Sequence, residues 1–185
     1  MFNSYLALIR IKARGMSSAV YRAYIKALGL NLGIGGSLGN INCDWPHKLN
    51  IGDYCTIQDG IRFDFKNPFS HENVINIGDR VFVGYDCIFN CTAKIIVGND
   101  SLIASRTVFV DVSHEIAPSI VINQQPIVSE NIFIGEAVWI GVGCIILKGV
   151  IIGKGAVIGA GSLVNKSIPE YEVWAGSPAR YIRKR

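Results

Sequence analysis

Between Val128 and Ile168 an aliphatic residue returns at every sixth position, through Val128, Ile134, Ile140, Ile146, Ile152, Ile158 and Val164. Four residues after each stands a second, usually small residue: Ile132, Val138, Cys144, Val150, Ala156, Ser162 and Ile168. A six-residue period fits neither an amphipathic helix of about 3.6 residues per turn nor a simple alternating strand. It fits short strands joined by tight corners and stacked as a solenoid, each hexad supplying one flat wall and three walls making one coil. Gly135, Gly141, Gly153 and Gly159 follow the leading aliphatic, where the corner is expected to need the positive φ that glycine adopts without strain. No single coil can bury its own aliphatic row, so stability must come from stacking neighbour on neighbour.

The same phase runs upstream through Ile51, Ile57 and Phe63, then Ile77, Val83 and Phe89, then Val97, Ile103 and Phe109. Three interruptions break it: Lys66 to Val74 with Pro68, a short slip from Thr92 to Ile96, and Glu115 to Ile127 with Pro118 and Pro126. Insertions that leave the flanking period in step read as loops budding from corners.

Composition agrees with one apolar solenoid domain. Of 185 residues, 50% are hydrophobic and only 17% charged, yet no apolar run approaches the roughly 18 residues of a membrane span. The short apolar stretch from Tyr5 to Ile11 does not read as a secretory signal. Both ends are basic: Arg10, Lys12, Arg14, Arg22 and Lys26 at the start, and Arg180, Arg183, Lys184 and Arg185 at the end, while the middle is mildly acidic. That distribution argues against nucleic-acid binding along the solenoid and for local anion or membrane contacts at the ends. Cys43, Cys55, Cys87, Cys91 and Cys144 form an odd set without zinc-type spacing. Cys55, Cys87 and Cys144 fall in the small slot and read as core fillers, kept reduced in a cytoplasmic setting.

Three segments result: a basic helical segment over 1–30, a β-solenoid over 31–168 with loops near 66–74 and 115–127, and a C-terminal tail or short helix over 169–185. The first is expected to cap the open end of the solenoid, where strand edges need cover, and its bases also suit an anionic membrane surface. In the last, Ser177, Pro178, Ala179 and Arg180 have the pattern of a short helix with proline in its first turn.

The hexads, together with Val138-Trp139-Ile140-Gly141, Gly159-Ala160-Gly161-Ser162 and Ala175-Gly176-Ser177-Pro178-Ala179-Arg180, resemble the hexapeptide-repeat acyltransferases. The resemblance implies a mainly β fold, a left-handed parallel β-helix, which is an exception to the usual right-handed crossover. It also implies a homotrimer with active sites between neighbouring solenoids. The basic N-terminal segment and the Asp111-Val112-Ser113-His114 stretch are most similar to the O-acetyltransferases of surface polysaccharide synthesis.

His114 stands at the corner before the longest interruption, where the resemblance places a catalytic histidine. A neutral imidazole there takes the proton from an acceptor hydroxyl as it attacks the thioester of acetyl-CoA, with no acyl-enzyme. The resemblance gives the oxyanion donor as the backbone N–H of Val142, after Trp139-Ile140-Gly141. Relatives often carry serine or glycine there, and valine keeps the backbone donor without a hydroxyl. Asp111 either orients His114, binds a sugar hydroxyl, or serves as a corner carboxylate. Asn90, one coil below, is an acceptor-binding candidate. For the CoA phosphates the resemblance points to Arg180 and Arg183, with Lys166 beside the pantetheine groove and Ala160 and Asn165 contributing backbone contacts.

The leading expectation is acetyl-CoA-dependent O-acetylation of a sugar hydroxyl in a saccharide, nucleotide sugar or lipid-linked glycan. N-acetylation of an amino sugar and a non-catalytic scaffold are the alternatives. A metal site of the carbonic anhydrase type needs three converging histidines; His47, His71 and His114 are not phased to meet, so no metal is expected.

Overall fold

The hexads fold into three long parallel sheets that wrap a single core, in a computed structural model that describes residues 19–66, 69–70 and 73–185. The first face stacks Asn31–Leu32, Leu49–Ile51, Val74–Ile77, Lys94–Val97, Ile132–Ile134 and Ile151–Ile152. The second stacks Ser37–Leu38, Thr56–Ile57, Phe82–Val83, Leu102–Ile103, Trp139–Ile140, Val157–Ile158 and Glu172–Gly176. The third stacks Asn42–Cys43, Arg62–Phe65, Ile88–Cys91, Val108–Val110, Ile145–Leu147 and Leu163–Val164. Along the chain the faces alternate first, second, third, so each coil is a triangle lying on the one before.

Register turns the hexad into columns. Ile51, Ile77, Val97, Ile134 and Ile152 lie directly over one another on the first face, and Ile57, Val83, Ile103, Ile140 and Ile158 on the second. On the third face the column is aromatic below and aliphatic above: Phe63, Phe89, Phe109, Ile146 and Val164. All of these side chains are buried. The Phe89 ring stacks on Phe63 at 5.0 Å and on Phe109 at 4.6 Å, near parallel at 22° and 13°. The second member of each hexad fills the triangle's vertices, and Val138, Cys144, Val150, Ala156 and Ser162 are all buried there. Where that residue is polar its hydroxyl donates to a corner carbonyl, as Ser101 does to Gly135 at 3.0 Å and Thr107 to Ala104 at 2.9 Å, which removes the cost of burying it. All five cysteines are free thiols, and Cys55, Cys87, Cys91 and Cys144 are buried.

The glycines answer a different demand from the one expected. Gly135 and Gly141 do not have positive φ. A Cβ on Gly135 would lie 2.7 Å from the Lys154 nitrogen, and one on Gly141 2.6 Å from the Ala160 nitrogen. These glycines let one coil's corner sit on the next coil's backbone. The left-handed position comes two residues later, at Ala137 (φ 52°) and Gly143 (φ 67°).

Val128 also departs from its assigned wall. Ile127–Ser129 pairs antiparallel with Val112–His114 in a two-stranded ribbon, and the walls resume at Ile132–Ile134. The Asp111 carbonyl accepts from the Glu130 N–H at 2.9 Å, closing the insert at its root so that the period resumes in step. The C-terminal helix is likewise replaced by strand. Val173 and Trp174 extend the second face beside Val157 and Ile158, the chain reverses after Gly176 (φ 107°), and Ala179–Lys184 runs back antiparallel. Pairing with an existing sheet edge satisfies more backbone groups than one isolated helical turn.

At the opposite end, residues 19–27 are helical and cover the first coil. Ile25 is buried, the Tyr21 hydroxyl donates to the Ile41 carbonyl at 2.9 Å and accepts from its N–H at 3.2 Å, and Arg22 donates to the carbonyls of Gly35 and Gly36. The capping role therefore holds for this part; residues 1–18 and His71 lie outside the described residues. Among the described residues no helix is long and apolar enough to cross a membrane.

Two stability experiments follow. Phe89→Ala removes the middle ring of the stack and should cost about 4 kcal/mol in chemical denaturation. Gly135→Ala should cost about 3 kcal/mol through backbone crowding, more than Gly143→Ala, whose Cβ meets nothing within 4 Å and whose strain is about 1 kcal/mol.

Candidate functional site

The edge between the third and first faces carries Asn90, Asp111 and His114. Val110 closes the third face, and the chain then turns at Asp111 into the strand Val112–His114. Asp111 is fully buried, and its carboxylate accepts from the Thr92 N–H at 2.8 and 2.9 Å and from the Ala93 N–H at 2.7 Å. It thus fastens the corner of the coil below, the same corner that the sequence shows as a slip in period. Burial raises its pKa in spite of the backbone N–H groups that favour the charged form; burial first, and then the Asp111 charge, push the Cys91 thiol up. Of the three roles open to Asp111, these bonds describe the corner carboxylate.

His114 pairs with Ile127 at the outer end of the ribbon, where the loop begins, and is exposed. Beyond it Gln125, itself buried, donates to the carbonyls of Ala117 and Ile120 and accepts from the Ala117 N–H. One side chain therefore shapes the whole insert, and Ile116, Ile120, Val121 and Ile122 remain exposed around it. Asn90 lies one coil below, next to Val110 and Asp64 in register. Its Oδ1 and the Thr92 Oγ1 are buried with no hydrogen-bond partner among the described residues.

The edge between the second and third faces gathers the other group. Val142 and Ala160 are exposed corner residues one above the other, linked by the Gly161 N–H to the Val142 carbonyl at 2.8 Å. Their own N–H groups point to no partner among the described residues, whereas on the neighbouring edge the Asp53 and Asp79 N–H groups are capped by Asp79 and Asn99 at 2.8 Å. The sequence explains the difference, since no Asp or Asn stands at Ala160 to cap Val142. Exposed Trp139 leads into this corner, in a row with Val157, Val173 and Arg183. Three strand spacings separate Trp139 from Arg183, roughly 14 Å. Arg180 pairs with Ala175, which packs on Gly159 at the same corner. Both arginines are exposed.

One chain thus carries two separate groups of candidate residues. Val142, Ala160, Trp139, Gly141, Arg180 and Arg183 share one edge and its adjoining face; His114, Asp111 and Asn90 share another. The third face stands between them, and the stretch Gly143 to Leu147 alone spans roughly 13 Å. Asn165 and Lys166 follow Val164 on the His114 edge, exposed, rather than joining Ala160. Gln125 and the corner amides of Thr92 and Ala93 gave no sequence signal, because each acts through backbone groups that have no code of their own. Among the described residues no cluster of three His, Cys, Asp or Glu side chains could hold a metal.

The family described as bacterial transferase hexapeptide (six repeats) matches residues 131–166. No curated protein sequence matches the chain. Among solved structures, variants of AntD, an N-acyltransferase from Bacillus cereus, superpose with TM-score 0.74 at 21% identity. One, in complex with dTDP and coenzyme A, covers 88% of each chain; another, with dTDP-4-amino-4,6-dideoxyglucose and coenzyme A, covers 89% of this chain and 88% of its own. A hexapeptide-repeat-containing acetyltransferase from Vibrio cholerae O1 biovar eltor, complexed with acetyl coenzyme A, superposes with TM-score 0.60 at 26% identity over 90% of this chain and 76% of its own. Residues 131–166 thus carry the bacterial transferase hexapeptide repeat, and the chain has the left-handed β-helix fold of these acyltransferase structures.

Proposed function

We propose that this protein transfers the acetyl group of acetyl-CoA to a sugar hydroxyl, with His114 as general base. The observation that carries the reading is the separation of two groups on two edges: an exposed histidine at the outer end of the ribbon, and elsewhere a stack of uncapped corner N–H groups beside two arginines. The first suits an acceptor and the second a phosphorylated thioester.

Because the two groups face different directions, a working centre requires the His114 edge of one copy against the Val142 edge of the next. Three copies around an axis close such a head-to-tail contact, and a homotrimer is the assembly proposed. In that centre a neutral imidazole nitrogen of His114 takes the hydroxyl proton as the sugar oxygen attacks the thioester carbon. The Val142 N–H stabilises the oxyanion, and the tetrahedral intermediate collapses to the acetyl ester as the carbon–sulfur bond breaks. The departing thiolate leaves as CoA–SH with the proton returned by the imidazolium. Arg180 and Arg183 pair with CoA phosphates, Lys166, Asn165 and Ala160 line the donor groove, and Asn90 holds the acceptor. Asp111 acts as a positioning residue, fixing the corner from which His114 departs. The basic N-terminal segment suits a glycan presented near a membrane.

A second reading, N-acetylation of an amino sugar, is favoured by the likeness to AntD, an N-acyltransferase. Labelled acetyl-CoA offered with sugars, nucleotide sugars and lipid-linked glycans decides between them: an ester product is released by mild alkali, and an amide survives it. Transfer to no sugar at all would overturn both.

His114→Ala should lower kcat by about a thousandfold while leaving the KM for acetyl-CoA unchanged; a change of KM alone would remove His114 from the chemistry. Arg180→Ala with Arg183→Ala should do the reverse, raising the KM for acetyl-CoA about tenfold or more at constant kcat.

A further inference from the structure

The turn Pro46–Lys48 and the residues Phe69, Ser70, Asn73 and Val74 enclose a cleft of about 570 Å³ that none of the chemistry above uses. Its walls are aromatic. Trp45 meets Phe69 edge-on with ring centres 5.7 Å apart at 67°, and meets His47 at 6.0 Å and 83°. Trp45 is anchored against the core, while Phe69 is 83% exposed. Under them Lys48, only 7% exposed, donates its ammonium hydrogens to the Ser70 carbonyl and the Asn73 Oδ1. The lysine thereby ties the turn to Ser70 and Asn73 and sets the mouth of the cleft. Among the described residues no carboxylate lines it.

The cleft's place in the fold gives it a role. It opens on the edge between the third and first faces, at the passages that precede Leu49–Ile51 and Val74–Ile77. His114 leaves the same edge after Val108–Val110. Between Phe69 and Asp111 lies one intervening corner, Thr92–Ala93, so the two sites are two rungs apart, roughly 10 Å. A single pyranose at His114 does not span that distance.

We propose that the cleft seats a second, non-reacting sugar ring of the same acceptor, and that the acceptor is therefore an oligosaccharide or longer glycan lying along this edge; the proposal rests on the sugar acetyltransferase reading. An apolar face of a pyranose packs on an aromatic ring, and its rim hydroxyls find the imidazole of His47. A nucleotide sugar fits less well. A diphosphate bridging the two sites would meet the exposed Lys66 and Lys94 among the described residues, neither of which lines the cleft, and the Lys48 ammonium inside it is already engaged by two oxygens.

The test measures binding and turnover separately on the full chain. Wild type and Phe69→Ala are titrated by saturation-transfer NMR, without acetyl-CoA, with a monosaccharide, its di- to tetrasaccharides and a nucleotide sugar; acetyl transfer to the same series is then followed. Phe69 is exposed, so its truncation leaves the core packed. The expected result is affinity that rises with chain length in wild type and falls about tenfold for the tetrasaccharide in Phe69→Ala, as a KM effect with kcat retained. Equal affinity for every length in wild type, or tetrasaccharide binding unchanged in Phe69→Ala, overturns the cleft. Binding of the nucleotide sugar alone, lost in Phe69→Ala, overturns the oligosaccharide in favour of a nucleotide-linked acceptor. Acetyl transfer to no sugar, with tetrasaccharide binding still dependent on Phe69, overturns the activity and leaves the cleft standing.

Discussion

Everything in this molecule depends on one coil's backbone resting on the next in exact register. Parallel pairing places Ile134 on Ile152 and Ile140 on Ile158, and each aliphatic column excludes water only because its members lie directly above one another. The corners enforce the same register from outside, because Gly135 and Gly141 allow approaches that a side chain would block. A slip of one residue would expose every column and drive Cβ atoms into backbone at once.

That strictness explains why the candidate site residues sit where repetition fails or leaves something unpaired. On one edge, aspartates and asparagines repeat and cap the corner N–H groups of the coil below them; on the next, Val142 and Ala160 leave those donors available. The insert at His114 is tolerated because Asp111 secures both sides of it: its carboxylate holds the Thr92 and Ala93 amides, and its carbonyl receives the returning strand at Glu130. A rigid scaffold thus presents a shaped loop without disturbing the stacking above or below it, the usual way in which repeat folds acquire sites.

The columns were legible because burial imposes a period on residue type, and every leading residue from Ile51 to Val164 outside the inserts lies in the core as the phase implies. The period makes His114 the end of a wall, but the wall closes at Val110 and His114 lies beyond it in the ribbon. What escaped was whatever depends on backbone rather than side chain. Glycine at Gly135 signals close approach and glycine at Gly143 signals positive φ, and the letter is the same. Val128 kept the period by coincidence of insert length, while its strand pairs elsewhere. Ser177 to Arg180 carry helix-start residues, yet the open edge beside Val173 and Trp174 claimed the chain as strand. Gln125 and Lys48 do their work through carbonyls, which leave no trace in composition.

The two ends of the described solenoid are finished differently. Tyr21 occupies the hydrogen-bonding groups of Ile41 at one, and the reversed strand Ala179–Lys184 covers the last parallel strand at the other. A stack of coils is by nature extendable, offering each terminal coil as a template for another. With part of that template covered at each end, growth into a fibre along the axis is opposed.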